Sequence, residues 1–241
     1  MDQEEIHYLN TTFTVVRKRQ RRTLSVKLSP HQPPKILTNF KISQKVMLNF
    51  LISKHYWIEK NLIKIKQIQS QEHHPQFKEG ELFPVLGEMK YFTFRESEIK
   101  KIKLVTEDGF ISCYTPPGWL PDEKKLRTAL LQFYKKEASN YLLERGKILS
   151  AELKFYPSQI KIQTAKSRWG SCNSRGVINL NWKLILFSPV LIDYVIIHEL
   201  CHLKHMNHSQ DFWNLVKSHC AYTADAQAYF KFEGLRLSAF L

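Results

Sequence analysis

The residues best suited to chemistry sit within one stretch, Val195-Ile-Ile-His-Glu-Leu-Cys-His-Leu203, which carries His198, Glu199 and His202. This is the H-E-x-x-H spacing of a zinc-binding helix. Two imidazoles four residues apart share a helix face, with Cβ atoms roughly 5–6 Å apart, so both Nε2 atoms reach one ion. Glu199 is rotated from them by about 100°, close enough to hold a water beside that ion. The chemistry this permits is metal-assisted hydrolysis. Zinc in such a site acidifies a bound water toward a pKa of about 7 and polarises the group under attack.

Catalytic zinc takes three protein ligands and keeps one position open. His205 is seven residues from His198, about 10 Å along the helix axis, too far to share an ion with bonds near 2 Å. The third ligand therefore comes from chain that has turned back. His208 meets this condition if the helix ends near His205-Met206-Asn207. Ser209 or Asn207 then caps a following helix, with Asp211 in its first turn and Phe212, Trp213 and Val216 packing inward. Glu233 is an alternative third ligand without a supporting pattern around it. The spacing H-E-x-x-H-x5-H equals that of the metzincins, which have Gly at the turn position held here by His205. Cys201 points away from the histidine face and reads as core.

The elements that must position these groups follow from the surrounding pattern. Ser188-Pro189 is a helix start, Ser as N-cap and Pro at the first helical position. Leu191, Ile192, Val195, Ile196, Ile197, Leu200, Cys201 and Leu203 make this helix apolar nearly all round, as buried helices are. Ahead of it, Ile160 to Ile162 and Val177 to Phe187 read as strands. In the second, Ile178, Leu180, Trp182 and Leu184 alternate with Val177, Asn179, Asn181 and Lys183. Its polar face is a candidate for pairing with an extended peptide if the strand lies at a sheet edge. Arg168 and Asn181 are candidates for the substrate-binding or oxyanion role; Arg168 reads equally well as a structural salt-bridge residue, and Trp169 and Trp182 read as core.

Further upstream, residues 11 to 29 read as strand, turn, strand around the basic run Arg17 to Arg22, taken as the exposed tip of a hairpin. Pro33-Pro34 marks a break. Ser43 to Ile68 has helical periodicity through Val46, Leu48, Phe50, Leu51, Ile58, Leu62 and Ile65, with Ser43 as N-cap. A polar loop containing His73-His74 follows, then short strands over 82–86, 91–94, 102–106 and 110–114. A second helical stretch runs from Pro121 to Gly146.

The chain has 241 residues, 43% apolar and 24% charged, within the range of folded globular proteins. Its formal charge of +14 favours anionic partners such as nucleic acid or nucleotides. Cys113, Cys172, Cys201 and Cys220 show no paired framework and fit reduced thiols of a cytoplasmic protein. No signal peptide pattern and no apolar run long enough to span a membrane is present.

Four segments together carry a family resemblance: Ser167-Arg-Trp-Gly-Ser-Cys172, Ile178-Asn-Leu-Asn-Trp182, Asp193 to Leu203, and Asn207-His-Ser-Gln-Asp-Phe-Trp213. They resemble the YgjP-like metallopeptidases, relatives of the SprT-like and WLM zinc proteases. The match is specific over about residues 160 to 215, and Tyr56-Trp57-Ile58 resembles the Trp-Ile helix of the family's basic, β-rich N-terminal region. The resemblance implies that His198, His202 and His208 hold zinc and that Glu199 is catalytic.

The expected fold is α+β, with a small antiparallel sheet packed on the motif helix and a β-rich basic N-terminal region. It is expected as one domain over 1–241, with a possible subdivision into 1–117 and 118–241. The expected activity is a zinc-dependent metallopeptidase acting on protein or peptide. Two readings compete with it: a zinc hydrolase of a phosphorylated small molecule such as a nucleoside triphosphate, and a nucleic-acid-associated protein with a zinc site.

Overall fold

A computed structural model describes residues 4–29, 32–70, 75–119, 122–165 and 168–237. The chain forms two compact units, Met1–His73 and His74–Ala239. The division thus falls well before the boundary considered at residue 117. His73, His74 and Ser167 lie outside the described residues.

The N-terminal unit contains β1 (Glu5–Tyr8), β2 (Thr11–Arg17), β3 (Ser25–Ser29), β4 (Gln32–Thr38), α1 (Gln44–Ser53) and α2 (His55–Ser70). The sheet order is β1-β2-β4-β3, with β2 and β4 parallel. The basic run is therefore not a hairpin tip, because β4 lies between β2 and β3. Arg17 is structural: its guanidinium holds both Glu4 carboxylate oxygens, at 2.7 and 2.8 Å, and donates to the carbonyls of Asn39 and Ile42. Pro33 and Pro34 lie inside β4 and do not break it. They precede Lys35, where pairing with β2 begins, so their missing N–H groups cost that ladder nothing.

The predicted single helix is two, parted at Lys54. Ser43 caps α1 by accepting from the Val46 amide. The buried residues are Met47, Leu51 and Ile58, which close on Ile6, Phe13 and Ile36 of the sheet. Val46 and Leu48, expected on the apolar face, are instead exposed.

The second unit begins with β5 (Leu82–Val85), β6 (Glu88–Glu96), β7 (Lys103–Glu107) and β8 (Phe110–Thr115), in the order β5-β6-β8-β7. The β5–β6 turn places Leu86 and Gly87 at φ 53° and 79°, the left-handed pair that a tight hairpin needs. The Leu86 amide donates to the Ile185 carbonyl at 2.7 Å. A Cβ on Gly87 would come within 2.7 Å of the Ser188 Cα, so this turn buttresses the start of the motif helix.

Next comes α3 (Glu123–Leu153), capped by Asp122, whose side chain accepts from the Lys125 amide. It runs through Gly146, where the sequence suggested an end. Gly146 serves close packing, because a Cβ there would lie 2.7 Å from Ile160 Cδ1. Leu126, Leu130, Phe133, Tyr134, Ala138, Leu142 and Leu149 form its buried stripe, recurring every three to four residues as a core-facing helix requires.

The remaining elements are β9 (Gln159–Gln163), β10 (Gly170–Cys172), β11 (Val177–Asn181), a 3-10 turn over Trp182–Leu186, α4 (Pro189–Cys201), α5 (Gln210–His219) and α6 (Thr223–Leu237). The fold is α+β, but the sheet beside α4 is mixed rather than antiparallel. Its order is β10-β11-β9, antiparallel on one side and parallel on the other. The strand expected over 177–187 ends at Asn181. The 3-10 turn then buries Trp182, Leu184, Ile185 and Leu186 together, which a two-residue alternation cannot do. β11 is central, so it offers no edge to a peptide; the outer strands are β9 and β10.

Candidate metal centre and active site

The site is built where α4 meets the turn into α5. Pro189 sits at the start of α4 behind Ser188, and a bidentate ion pair anchors the helix to α3. Arg145 donates from Nε and a terminal nitrogen to the two Asp193 carboxylate oxygens at 2.7 and 2.8 Å. The chain leaves α4 after Cys201 and turns through Met206 and Asn207. Ser209 then caps α5 by accepting from the Phe212 amide. That reversal carries His208 back over α4, the path the rise per residue demands.

His198, His202 and His208 offer ligand atoms that all lie within 4.8 Å of one another. The Nε2 atoms of His198 and His208 are 3.1 Å apart. His202 donates from Nδ1 to the His205 carbonyl at 2.9 Å, which fixes its tautomer and leaves Nε2 as the lone-pair donor. His205 thus serves the site through its backbone, not its ring. Phe212 stacks on the His202 ring at 4.4 Å, and Trp213 stacks on the His208 ring at 5.4 Å. The α5 aromatics predicted to pack inward therefore set the angles of two imidazoles.

Burial, followed by the neighbouring His202 and His208 charges, lowers the His198 pKa to about 3. Burial likewise lowers His202, against the raising effect of its bond to the His205 carbonyl. Burial thus favours the neutral form of both rings, the form that binds metal. His198 Nδ1 and Glu199 Oε2 are buried without a hydrogen-bond partner. Three converging imidazoles beside an unsatisfied carboxyl are a donor set that fits a small divalent cation.

Glu199 is 5% exposed, and burial pushes its carboxyl up to about 8, against the lowering influence of Arg168. It lies against β10: a Cβ on Gly170 would be 2.5 Å from Glu199 Oε1. Only glycine leaves room for the carboxyl there. A cavity of about 390 Å³ opens beside it, lined by Trp169, Gly170, Tyr194, Glu199, Gln227 and Phe230 among others.

The two candidate substrate residues sit differently. Arg168 is exposed and acts on Glu199 through its charge. Asn181 is buried and committed to the backbone: its amide donates to the carbonyls of Ala165 and Arg168 at 2.9 and 3.0 Å, and its oxygen accepts from the Lys183 amide. It pins the loop that carries Arg168. Trp182 is core, as expected, whereas Trp169 faces the cavity and packs on Phe187 and Phe230. The α6 wall had no signal in the sequence, because Gln227 and Phe230 lie in a stretch of ordinary helical residues. Gly170 was within a recognised segment, and its juxtaposition with Glu199 appears only in three dimensions. The side chain of Glu233 is outside the described set. Cys201 is buried, and all four cysteines are free thiols.

A cluster of this kind could hold a metal ion. The chain belongs to the YgjP-like family, whose metallopeptidase domain matches residues 22–232, and is on that ground a metallopeptidase-domain protein. Among solved structures, the metallopeptidase zymogen abylysin of Pyrococcus abyssi is 21% identical with a TM-score of 0.33, covering 38% of this chain and 95% of its own. The zymogen jannalysin of Methanocaldococcus jannaschii is 22% identical with a TM-score of 0.32, covering 37% of this chain and 95% of its own. None of the curated proteins is similar enough in sequence to match. No described helix is long and apolar enough to cross a membrane.

Proposed function

We propose that this protein is a zinc-dependent peptidase, with His198, His202 and His208 as zinc ligands and Glu199 as general base. The observation that carries the reading is the convergence of three imidazoles within 4.8 Å beside a carboxyl buried without a partner for Oε2. Zinc held there by the three histidines would supply a Lewis acid and acidify a water. Glu199 would be the residue that accepts a proton beside it and delivers it to the leaving nitrogen of the peptide. A neighbouring dication favours the charged carboxylate, offsetting the burial that holds Glu199 neutral without it.

Substrate binding follows from the same walls. Gly170–Cys172 is an outer strand next to Glu199, so an extended peptide pairs there through its backbone. The aromatic cavity beside Glu199 takes a side chain next to the scissile bond. Exposed Arg168 lies within electrostatic reach of Glu199 and stabilises developing negative charge, while Asn181 holds its loop. Hydrolysis of a phosphorylated small molecule finds less support, because the lining beside Glu199 is mostly aromatic and apolar.

The test is a screen of unstructured polypeptides and nucleotides with wild type and Glu199→Gln. Polypeptide cleavage should fall by about 10²–10⁴-fold in the variant while metal content stays unchanged. Phosphate release without peptide cleavage would replace this reading with the nucleotide one.

A further inference from the structure

A second concave site lies in the same unit, sharing no lining residue with the metal-centre cavity. It has a volume of about 620 Å³ and is formed where residues 100–102, just ahead of β7, and the Pro116–Trp119 turn meet the first turns of α3. Lys100, Lys101, Lys124 and Lys125 line it together with Trp119. Lys125 pairs with Asp122 at 3.4 Å. Lys100, Lys101 and Lys124 have no ion-pair partner among the described residues.

We propose that this cavity binds single-stranded nucleic acid. Four ammonium groups gathered in one concavity repel one another, and a phosphate chain relieves that repulsion while releasing its own counterions. On α3, Lys124, Thr128 and Gln132 recur at intervals of four and so form one stripe, about 12 Å long at 1.5 Å per residue. That stripe presents the Lys124 cation and the Gln132 amide to a phosphate–sugar backbone, while the Thr128 hydroxyl between them donates to the Lys124 carbonyl at 2.8 Å. The half-buried Trp119 supplies a flat face, and its amide bond to the Pro116 carbonyl at 3.2 Å holds the turn that presents it. An indole next to lysines suits a base stacked above a phosphate. In a duplex the base faces are covered by their neighbours, so the indole selects the single strand. An acidic peptide satisfies the lysines but offers the indole nothing flat.

The test uses the full chain and a fluorescent oligothymidylate, read by anisotropy over a salt series. Affinity should fall steeply with salt. Reversing Lys100, Lys101 and Lys124 to Glu should weaken binding by about tenfold or more, whereas the same reversal at Lys135, Lys136 and Lys147 should have far less effect. Trp119→Ala should weaken the single strand by about tenfold and leave the matching duplex unchanged. Trp119→Phe should restore most of the loss, which separates stacking from misfolding. Equal effects of the two triple reversals would overturn the proposal. So would an indifferent Trp119→Ala, or a poly-glutamate peptide bound as tightly as the strand.

Discussion

The core of the N-terminal unit and the α4–α5 corner of the second unit bury their residues for different ends. In the first, Ile6, Phe13, Ile36, Met47, Leu51 and Ile58 close on one another, and the only buried polar side chain among the described residues is Thr38, whose hydroxyl lacks a hydrogen-bond partner. In the second, Glu199 and His202 are nearly as buried as the aliphatic residues of the same helix, and polar atoms of His198 and Glu199 lack partners. Apolar burial stabilises at about 25 cal/mol per Å², whereas a buried polar group without a partner costs about 1–3 kcal/mol. Thr38 offers one such atom alone, whereas in the corner two adjacent residues present theirs where three imidazoles converge, an arrangement that a ligand completes. The stability of the corner must then come from around the site: the Arg145–Asp193 pair, the Ser209 cap and the stacked Phe212 and Trp213.

This contrast can be broken at defined points. Gly170→Ala places a methyl against the Glu199 carboxyl and should lower turnover by about 100-fold with metal content unchanged. Wild-type turnover would mean that Glu199 is not held where the account needs it. Arg145→Ala leaves the Asp193 carboxylate half-buried and alone. It should lower the stability of the second unit by about 2 kcal/mol, between the costs of exposed and buried pairs, as read by denaturant melting. Ser209→Ala removes the α5 cap, costing about 1 kcal/mol, and should weaken metal binding because His208 precedes that cap directly. Ser43→Ala removes a similar amount from the N-terminal unit alone. Peptide hydrolysis should be unchanged there; an equal loss of metal from both cap variants would erase the distinction between the two regions.

The convergence of His198, His202 and His208 was legible in the sequence because its determinants are local. A four-residue spacing fixes the shared face of His198 and His202, the helical rise excludes the His205 ring, and Ser209 marks the start of α5. Strand order was not legible. The parallel pairs β2–β4, β6–β8 and β9–β11 join segments distant in the chain, and nothing in the alternation of side chains encodes which neighbour is chosen. Pro33-Pro34 read as a break because the rule for proline depends on which strand edge is paired. The 3-10 turn over Trp182–Leu186 was hidden for a related reason: four apolar residues in five satisfy a strand pattern or a buried turn equally. The wall of α6 and the fit of Gly170 to Glu199 are contacts across the fold.

Metal stoichiometry reports on the three-histidine centre itself. Dialysed wild type should retain one zinc per chain, His208→Ala should lose it, and His205→Ala should keep it because only the His205 carbonyl is used. Zinc retained by His208→Ala, or lost by His205→Ala alone, would contradict the three-histidine centre.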